Sequence, residues 1–151
     1  MPVQLITQNK KAYLDLLLSA DEQESMIDRY LERGEMFIWS EENTPIAVCV
    51  VTDEGNETFE IKNLAVHPSY QRQGYGRRMV DFVIKHYRKR CRHLLVGTGD
   101  SPLTVPFYEH CGFVYSHRIA GFFLQNYDHP IWEDGKQLID MLYFRIDFGN
   151  K

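Results

Sequence analysis

The sequence predicts a single α+β domain over residues 1–151, with helices on both faces of a central, mostly antiparallel mixed sheet. The chain of 151 residues is long enough for one domain with its own core. Short apolar segments bounded by turn residues alternate with segments of helical spacing, which excludes an all-helical bundle. Hydrophobic residues make up 44% and charged residues 25% of the chain. These fractions are typical of a folded globular protein.

The first half of the chain is predicted to form strands around a helical region. Residues 46–53 and 58–66 form two strands of a hairpin, because glycine and asparagine in the intervening EGNE segment favour a turn. The residue before Pro68 is biased away from helix, so His67 is expected to end the second strand. The other predicted elements are a strand at 3–7, helices across 10–31 with a break near 20–22, and a strand at 36–40.

The second half is predicted to contain two helices and three strands. After Gly74, apolar residues recur at the spacing of one helical stripe. A buried strand at 93–97 and a short helix at 103–111, interrupted by Pro106, follow. Strands at 112–116 and 138–148 complete the sheet. The residues of the helical stripe are Met79, Val80, Val83, Ile84 and Tyr87.

Charge is distributed unevenly along the chain. The formal net charge is −4. The segment from Arg72 to Arg92 nevertheless carries eight cations and one acid, Asp81, so the remainder is strongly acidic. One end of the molecule is therefore expected to attract an anion and the rest a cation, with a solvated basic helix face as the alternative.

Several classes of function are excluded by composition. The longest apolar run, residues 46–51, is too short to cross a membrane, and no signal peptide is evident, so we expect a cytoplasmic protein without a membrane partner. Cys49, Cys91 and Cys111 are odd in number and widely spaced, which favours packed, reduced thiols over disulfides or a zinc site. The histidines show no ligand spacing, so no metal is expected. The RKRCRH segment lacks interleaved aromatics, and nucleic acid is not an expected partner.

The segment QRQGYG, residues 71–76, predicts an anion-binding helix start. A strand that feeds a helix leaves backbone N–H groups unpaired at the positive end of the helix dipole. Gly74 and Gly76 lack Cβ atoms, so an anion can approach the backbone closely. A P-loop does not fit because Gly-Lys-Ser/Thr is missing, and a dinucleotide fingerprint does not fit because Met79 stands where glycine is needed.

The pattern Gln71-x-x-Gly74-x-Gly76, with NLAVHPSYQRQGYG before the helix and FYEHCGF further along, resembles the GNAT superfamily of acyl-CoA-dependent N-acetyltransferases. At motif level the resemblance covers roughly residues 37–115. It implies a GNAT-like sheet of about six to seven strands, acetyl-CoA as co-substrate without a metal, and direct transfer of the acetyl group to a primary amine on a small molecule or peptide. The alternative is a catalytically inactive sensor or scaffold that binds acyl-CoA. Homodimers are common in the superfamily, so the oligomeric state stays open.

The resemblance also implies roles for individual residues. Glu60 is the expected base, directly or through water, with Glu57 as the second choice, and Tyr108 is the expected acid for the leaving thiolate. Backbone amides of residues 72–77 are expected to hold the CoA diphosphate, and residues 64–66 to pair with the pantetheine arm like an added strand. In the family, a bulge in this strand and divergence from the next one open the cleft. The expected cofactor-binding residues are Leu64, Ala65, Val66, Gln71, Arg72, Gln73, Gly74, Tyr75, Gly76, Arg77 and Asp100.

Asp100 stands where relatives often carry asparagine, and an ionised carboxylate accepts but does not donate a hydrogen bond. Asn63 either supplies a polar group to the same site or is bonded to backbone. The acceptor pocket has no motif of its own. From topology we expect it to include Tyr13, Asp28, Tyr30, Phe37, Trp39, Asp128 and His129.

Overall fold

The computed structural model describes residues 2–149 and contains one seven-stranded sheet and one small hairpin. The strands are β1 (Val3–Ile6), β2 (Glu35–Glu41), β3 (Thr44–Gly55), β4 (Thr58–Val66), β5 (His93–Gly99), β6 (Val114–Ile119), β7 (Trp132–Glu133), β8 (Lys136–Gln137) and β9 (Met141–Asp147). The helices are α1 (Leu14–Leu18), α2 (Glu24–Ile27), α3 (Tyr75–Tyr87), α4 (Val105–His110) and α5 (Phe122–Asn126). Short 3₁₀ helices occupy Lys10–Tyr13 and Pro68–Tyr70.

The large sheet is mixed and mostly antiparallel. Its strand order is β1-β2-β3-β4-β5-β9-β6. The β4–β5 pair is parallel and the other neighbouring pairs are antiparallel. Parallel neighbours need a crossover, which α3 supplies between β4 and β5. The structure therefore confirms the predicted fold class and number of strands.

Two apolar cores lie on opposite faces of the sheet. The first contains the predicted apolar stripe of α3, of which Met79, Val80, Val83 and Tyr87 are buried. The second lies under α1 and α2. The three cysteines are buried and unbridged, which agrees with the predicted packed thiols. Within residues 2–149, no helix is long and apolar enough to cross a membrane.

Several details of the secondary structure differ from the prediction, among them β6, which covers Val114–Ile119 and not 112–116. Pro106 lies in the first turn of α4, where its missing N–H costs nothing, so it begins the helix rather than interrupting it. The last strand begins at Met141, not at 138, because Leu138 packs over Gly99 and Asp140 accepts a hydrogen bond from the Gly121 N–H. Helix α5 and the β7–β8 hairpin were not predicted, because each is too short to show a clear period.

A bulge in β4 changes which side chains face α3. Two consecutive residues of β3 pair with Ile61 and Asn63, so Lys62 is the extra residue. Beyond it, Leu64 and Val66 pack on the same core as Ile61. Without the bulge, the two-residue alternation of a strand would turn Leu64 to the opposite face.

β4 and β5 pair only over their first halves. Their pairing ends at Ile61 with Val96, whereas β4 continues to Val66 and β5 to Gly99. The far halves separate and leave a gap in the middle of the sheet. The bulge and the divergence, both implied by the family resemblance, are confirmed.

Candidate active site

Two adjoining depressions lie where β4 and β5 separate. The first, named here the sheet cleft, has a volume of about 470 Å³ and is walled by the ends of both strands, residues 19–22 and parts of residues 123–141. The second, named the helix pocket, has a volume of about 510 Å³ and lies at the start of α3. Both depressions are lined by Leu64, Val66, Gln71, Leu103, Thr104 and Tyr108.

The start of α3 is free to bind an anion. Gly74 precedes the helix with φ of 89°, in the left-handed region that favours glycine. The first N–H groups of a helix, here those of Tyr75, Gly76 and Arg77, have no intrahelical partners. No described side chain caps this end of α3 in their place. All three residues line the helix pocket, which therefore combines free N–H groups with the positive end of the helix dipole.

Packing holds the loop before α3 in place. The Gln71 side chain donates a hydrogen bond to the Val66 carbonyl at 3.0 Å and ties the loop to the end of β4. A Cβ on Gly76 would lie 3.4 Å from the Phe107 ring, so the helix start is packed closely against α4. Both contacts anchor the segment that carries the free N–H groups.

The basic segment contributes unequally to this site. Arg72 and Arg77 line the helix pocket. At the other end of α3, Arg90 forms an ion pair with Glu35 at 3.2 Å. The charge that faces the pocket is thus smaller than the sequence count suggests.

Tyr108 lies at the junction of the two depressions. It is 7% exposed and lines both of them. Burial raises the pKa of its hydroxyl, with smaller contributions from nearby thiols and Glu133, so the group stays protonated at neutral pH. Within residues 2–149 the hydroxyl has no hydrogen-bond partner, which leaves it available to a bound molecule.

Glu60 is buried beside the sheet cleft rather than in its wall. Its carboxylate accepts hydrogen bonds from the Lys62 ammonium at 3.0 Å and from the Tyr143 hydroxyl at 3.2 Å. Burial raises the pKa of Glu60, while Lys62 and Tyr143 oppose the rise. Of the described residues, Ile61 and Lys62 line the cleft and Glu60 does not. Glu57 is remote, in the turn at the opposite end of β4.

Most of the predicted cofactor residues meet in one place. Ala65 lines the sheet cleft instead of the helix pocket. Gln73 and Asp100 are the two of the set that line neither depression; Gln73 donates to the Ser69 carbonyl, and Asp100 is exposed and pairs with Lys136 at 3.1 Å. The residues that line the helix pocket are Leu64, Val66, Gln71, Arg72, Gly74, Tyr75, Gly76 and Arg77.

A polar network in the sheet cleft was not predicted. Asp21 accepts hydrogen bonds from the hydroxyls of Tyr30 at 2.9 Å and Tyr127 at 2.7 Å. The Asn63 amide donates to the Tyr30 oxygen at 3.1 Å and to the Leu17 carbonyl at 3.0 Å. The sequence marked the 20–22 break, but nothing local indicated that Tyr127 would reach it. Asn63 is therefore bonded to backbone, as one of its two alternatives had it, and it also lines the sheet cleft.

The residues expected from topology for the acceptor pocket lie outside the wall of the sheet cleft. In the described structure, none of these seven residues lines the sheet cleft. Asp28 pairs with Lys11 at 2.6 Å, and Phe37 packs in the core against Phe82. Tyr30 and His129 lie just behind the wall of the sheet cleft. Tyr30 bonds to Asp21 and His129 bonds to Glu22, and both of these acidic residues line the cleft.

Two loops join to form one wall of the sheet cleft. Each of residues 126–129 forms a hydrogen bond with a residue between α1 and β2. Arg29 donates to Asn126, and the side chain of Gln23 accepts from the Asp128 N–H, both at 2.9 Å. These contacts bring the unpredicted α5 region against the α1–α2 turn.

Comparison with known proteins identifies the family. Residues 6–113 match the model of the acetyltransferase (GNAT) family. Over 147 residues the chain is 33% identical to the uncharacterized N-acetyltransferase YvbK of Bacillus subtilis, covering 96% of this chain and 95% of that protein. The match therefore extends well beyond the glycine loop.

Solved structures of similar proteins support the same family assignment. A GNAT family acetyltransferase from Elizabethkingia anophelis with acetyl-CoA bound is 33% identical, with a TM-score of 0.91 and 96% of each chain covered. A Bacillus subtilis acetyltransferase in complex with CoA is also 33% identical, with a TM-score of 0.89 over 96% of this chain and 97% of that one. The chain therefore belongs to the GNAT family and is an acetyl-CoA-dependent N-acetyltransferase.

Proposed function

We propose that this enzyme transfers the acetyl group directly to a primary amine, with the donor in the helix pocket and the acceptor in the sheet cleft. The position of Tyr108, which lines both depressions, carries this proposal. Direct transfer is favoured because the described residues lining the two depressions include no cysteine or histidine that could carry the acyl group.

The helix pocket suits the phosphate end of acetyl-CoA. Free N–H groups at the start of α3 are donors for a diphosphate, and Arg72 and Arg77 add positive charge. The pantetheine arm would run along residues 64–66, where β4 has separated from β5 and can accept an added strand. This course leads from the helix pocket toward Tyr108.

The chemistry requires one base and one acid. The neutral amine nitrogen attacks the thioester carbon, a C–N bond forms, and collapse of the intermediate breaks the C–S bond. We assign removal of the amine proton to Glu60 through water, because its carboxylate lies behind the cleft wall. We assign protonation of the departing thiolate to Tyr108, whose hydroxyl is protonated and unpartnered.

A panel of primary amines tests the proposal. Purified enzyme is incubated with acetyl-CoA and each amine, and free CoA and acetylated product are measured together. We expect one CoA for each N-acetyl product on at least one class of amine. Tight acetyl-CoA binding without turnover on any amine would favour the sensor instead. A product acetylated on oxygen would contradict the assignment of the acceptor.

The Glu60→Gln variant tests the base through its pH profile. Because the carboxyl accepts a proton only when ionised, and burial raises its pKa, the wild-type rate should rise with pH along a limb shifted upward from that of an exposed glutamate. In Glu60→Gln this limb should disappear and kcat near neutral pH should fall by about 100-fold. The control Glu57→Gln, at the remote end of β4, should keep the wild-type profile. If the rise of the rate with pH were lost in Glu57→Gln and kept in Glu60→Gln, the role of base would pass to Glu57.

A pair of glycine variants tests the helix pocket. Gly74→Ala places a side chain at φ of 89°, which costs roughly 1–2 kcal/mol and should weaken acetyl-CoA binding by about tenfold. Gly76→Ala should have a much smaller effect, because its Cβ would lie 3.4 Å from Phe107, within reach of ordinary contact. Direct titration with acetyl-CoA measures the affinity of both variants. Equal losses in the two variants would show that the turn at Gly74 is not what shapes the site.

A further inference from the structure

We propose that Asp21 and Asn63 together bind the cationic group of the acceptor, and that this acceptor is an amine with an apolar body. The inference deepens the proposed transfer to a primary amine and rests on it. It concerns the wall of the sheet cleft opposite the helix pocket. That wall combines one fixed carboxylate, one unsatisfied amide oxygen and an apolar surface.

Asp21 and Asn63 are held side by side by one hydroxyl group. The Tyr30 oxygen donates to Asp21 at 2.9 Å and accepts from the Asn63 amide at 3.1 Å. Tyr127 donates to the other oxygen of Asp21 at 2.7 Å. Both Asp21 and Asn63 line the sheet cleft. The two side chains are thus joined through the Tyr30 hydroxyl before any ligand binds.

Asn63 has an unused acceptor. Its side chain is 3% exposed, and its Nδ2 donates to the Leu17 carbonyl at 3.0 Å, which fixes the orientation of the amide. The Oδ1 atom has no partner among the described residues. Buried polar atoms in folded proteins are nearly always bonded, so an orphaned oxygen on a residue beside the cleft marks a place for an N–H donor. An ammonium group carries three such donors.

Asp21 is also a carboxylate of the cleft wall whose negative charge is not paired with a described cation. Glu22 contacts His129 at 2.9 Å, whereas Glu133, like Asp21, is bonded to a neutral group, the Ser101 hydroxyl at 3.0 Å. Asp21 is bonded to two neutral phenols and forms no ion pair within residues 2–149. A carboxylate with four acceptor positions can bind a cation in addition to these donors.

The surface next to this polar pair is apolar. Phe123, Ile131 and Leu138 form a small core cluster that faces the sheet cleft. Met141 extends it, and Trp132 lines the cleft with 60% of its surface exposed. An apolar wall beside a charged anchor favours a ligand with a cationic head and an aromatic or aliphatic body. A polyamine or an amino sugar would leave this surface uncovered.

Three small probes test both halves of the inference on CoA-saturated enzyme. They are 2-phenylethylamine, 2-phenylethanol, which lacks the cation, and ethylamine, which lacks the apolar body. By calorimetric titration, 2-phenylethylamine should bind about tenfold more tightly than either of the others. Equal binding of 2-phenylethanol would overturn the cation site. If ethylamine bound as tightly as 2-phenylethylamine, the proposal that the acceptor has an apolar body would be overturned.

The Asp21→Asn variant localises the cation. It keeps the shape of the side chain and removes the charge, so affinity for 2-phenylethylamine should fall by about tenfold or more while affinity for 2-phenylethanol is retained. The matched control is Asp28→Asn, an exposed carboxylate outside the cleft that pairs with Lys11 and should bind like wild type. An unchanged amine affinity in Asp21→Asn would overturn the inference.

Binding and turnover separate this inference from the proposed function. Binding that depends on Asp21 without any acetylated product would leave the cation site standing and contradict transfer to an amine. Turnover of the amine with the same KM in Asp21→Asn and wild type would leave the transfer standing and overturn the cation site.

Discussion

Replacing Tyr108 with phenylalanine is expected to lower kcat by about 100-fold while leaving acetyl-CoA affinity nearly unchanged. The ring fills the junction of the two depressions and is retained in the variant. The hydroxyl alone is lost, and in the described structure it bonds to no other residue. The leaving thiolate then has to take its proton from water. Steady-state kinetics and acetyl-CoA titration measure the two quantities separately.

The acidities of the two groups explain why the position of the Tyr108 hydroxyl matters. A thiol has a pKa of about 8.5, and burial raises the pKa of Tyr108 above that of a free tyrosine. Proton donation is therefore uphill and depends on position. The matched control is Tyr115→Phe on β6, whose side chain is half exposed and lines neither depression. If Tyr108→Phe kept the wild-type kcat, Tyr108 would have no role as acid.

Replacing Lys10 with methionine is expected to cost about 3 kcal/mol of unfolding free energy. Its ammonium is buried and donates to the carbonyls of Leu31 at 2.9 Å, Glu32 at 3.2 Å and Gly34 at 2.7 Å. Methionine fills similar space but leaves these oxygens without the donor. For a chain of this length the melting temperature should fall by roughly 6 to 12 °C.

The neighbouring lysine provides the control for this variant. Lys11 is exposed and bridges Glu24 and Asp28 at 2.6 Å each. Surface ion pairs contribute little, so Lys11→Met should unfold close to wild type in denaturant titrations. If the two variants lost equal stability, the loss would reflect the shared helical turn, and the buried contacts of Lys10 would not be its cause.

Local patterns explain why most of the fold was predictable. The hairpin of β3 and β4, the apolar stripe of α3 and the helical break at 20–22 are each encoded within about one element. Most of the errors lie in residues 121–140, where short elements are fixed by contacts between distant side chains. One example is Leu138 packing over Gly99.

The residues of the candidate site also divide into those that local sequence could predict and those that it could not. The glycine loop could be recognised because Gln71, Gly74 and Gly76 lie within six residues and their backbone geometry does the binding. Asp21 could not, because its partner Tyr127 is 106 residues away. Lys10 could not be told from Lys11, since only the folded chain carries residues 31–34 to one of them.

The site depends on the bulge at Lys62, because Leu64 follows Ile61 by three residues and yet both side chains face α3. If β4 paired regularly with β3 at the same length, Leu64 and Val66 would turn away from α3. The helix pocket would lose two walls although every donor-binding residue remained in the sequence. The shape of the donor site is therefore set by the pairing register of one strand as well as by the residues that the strand carries.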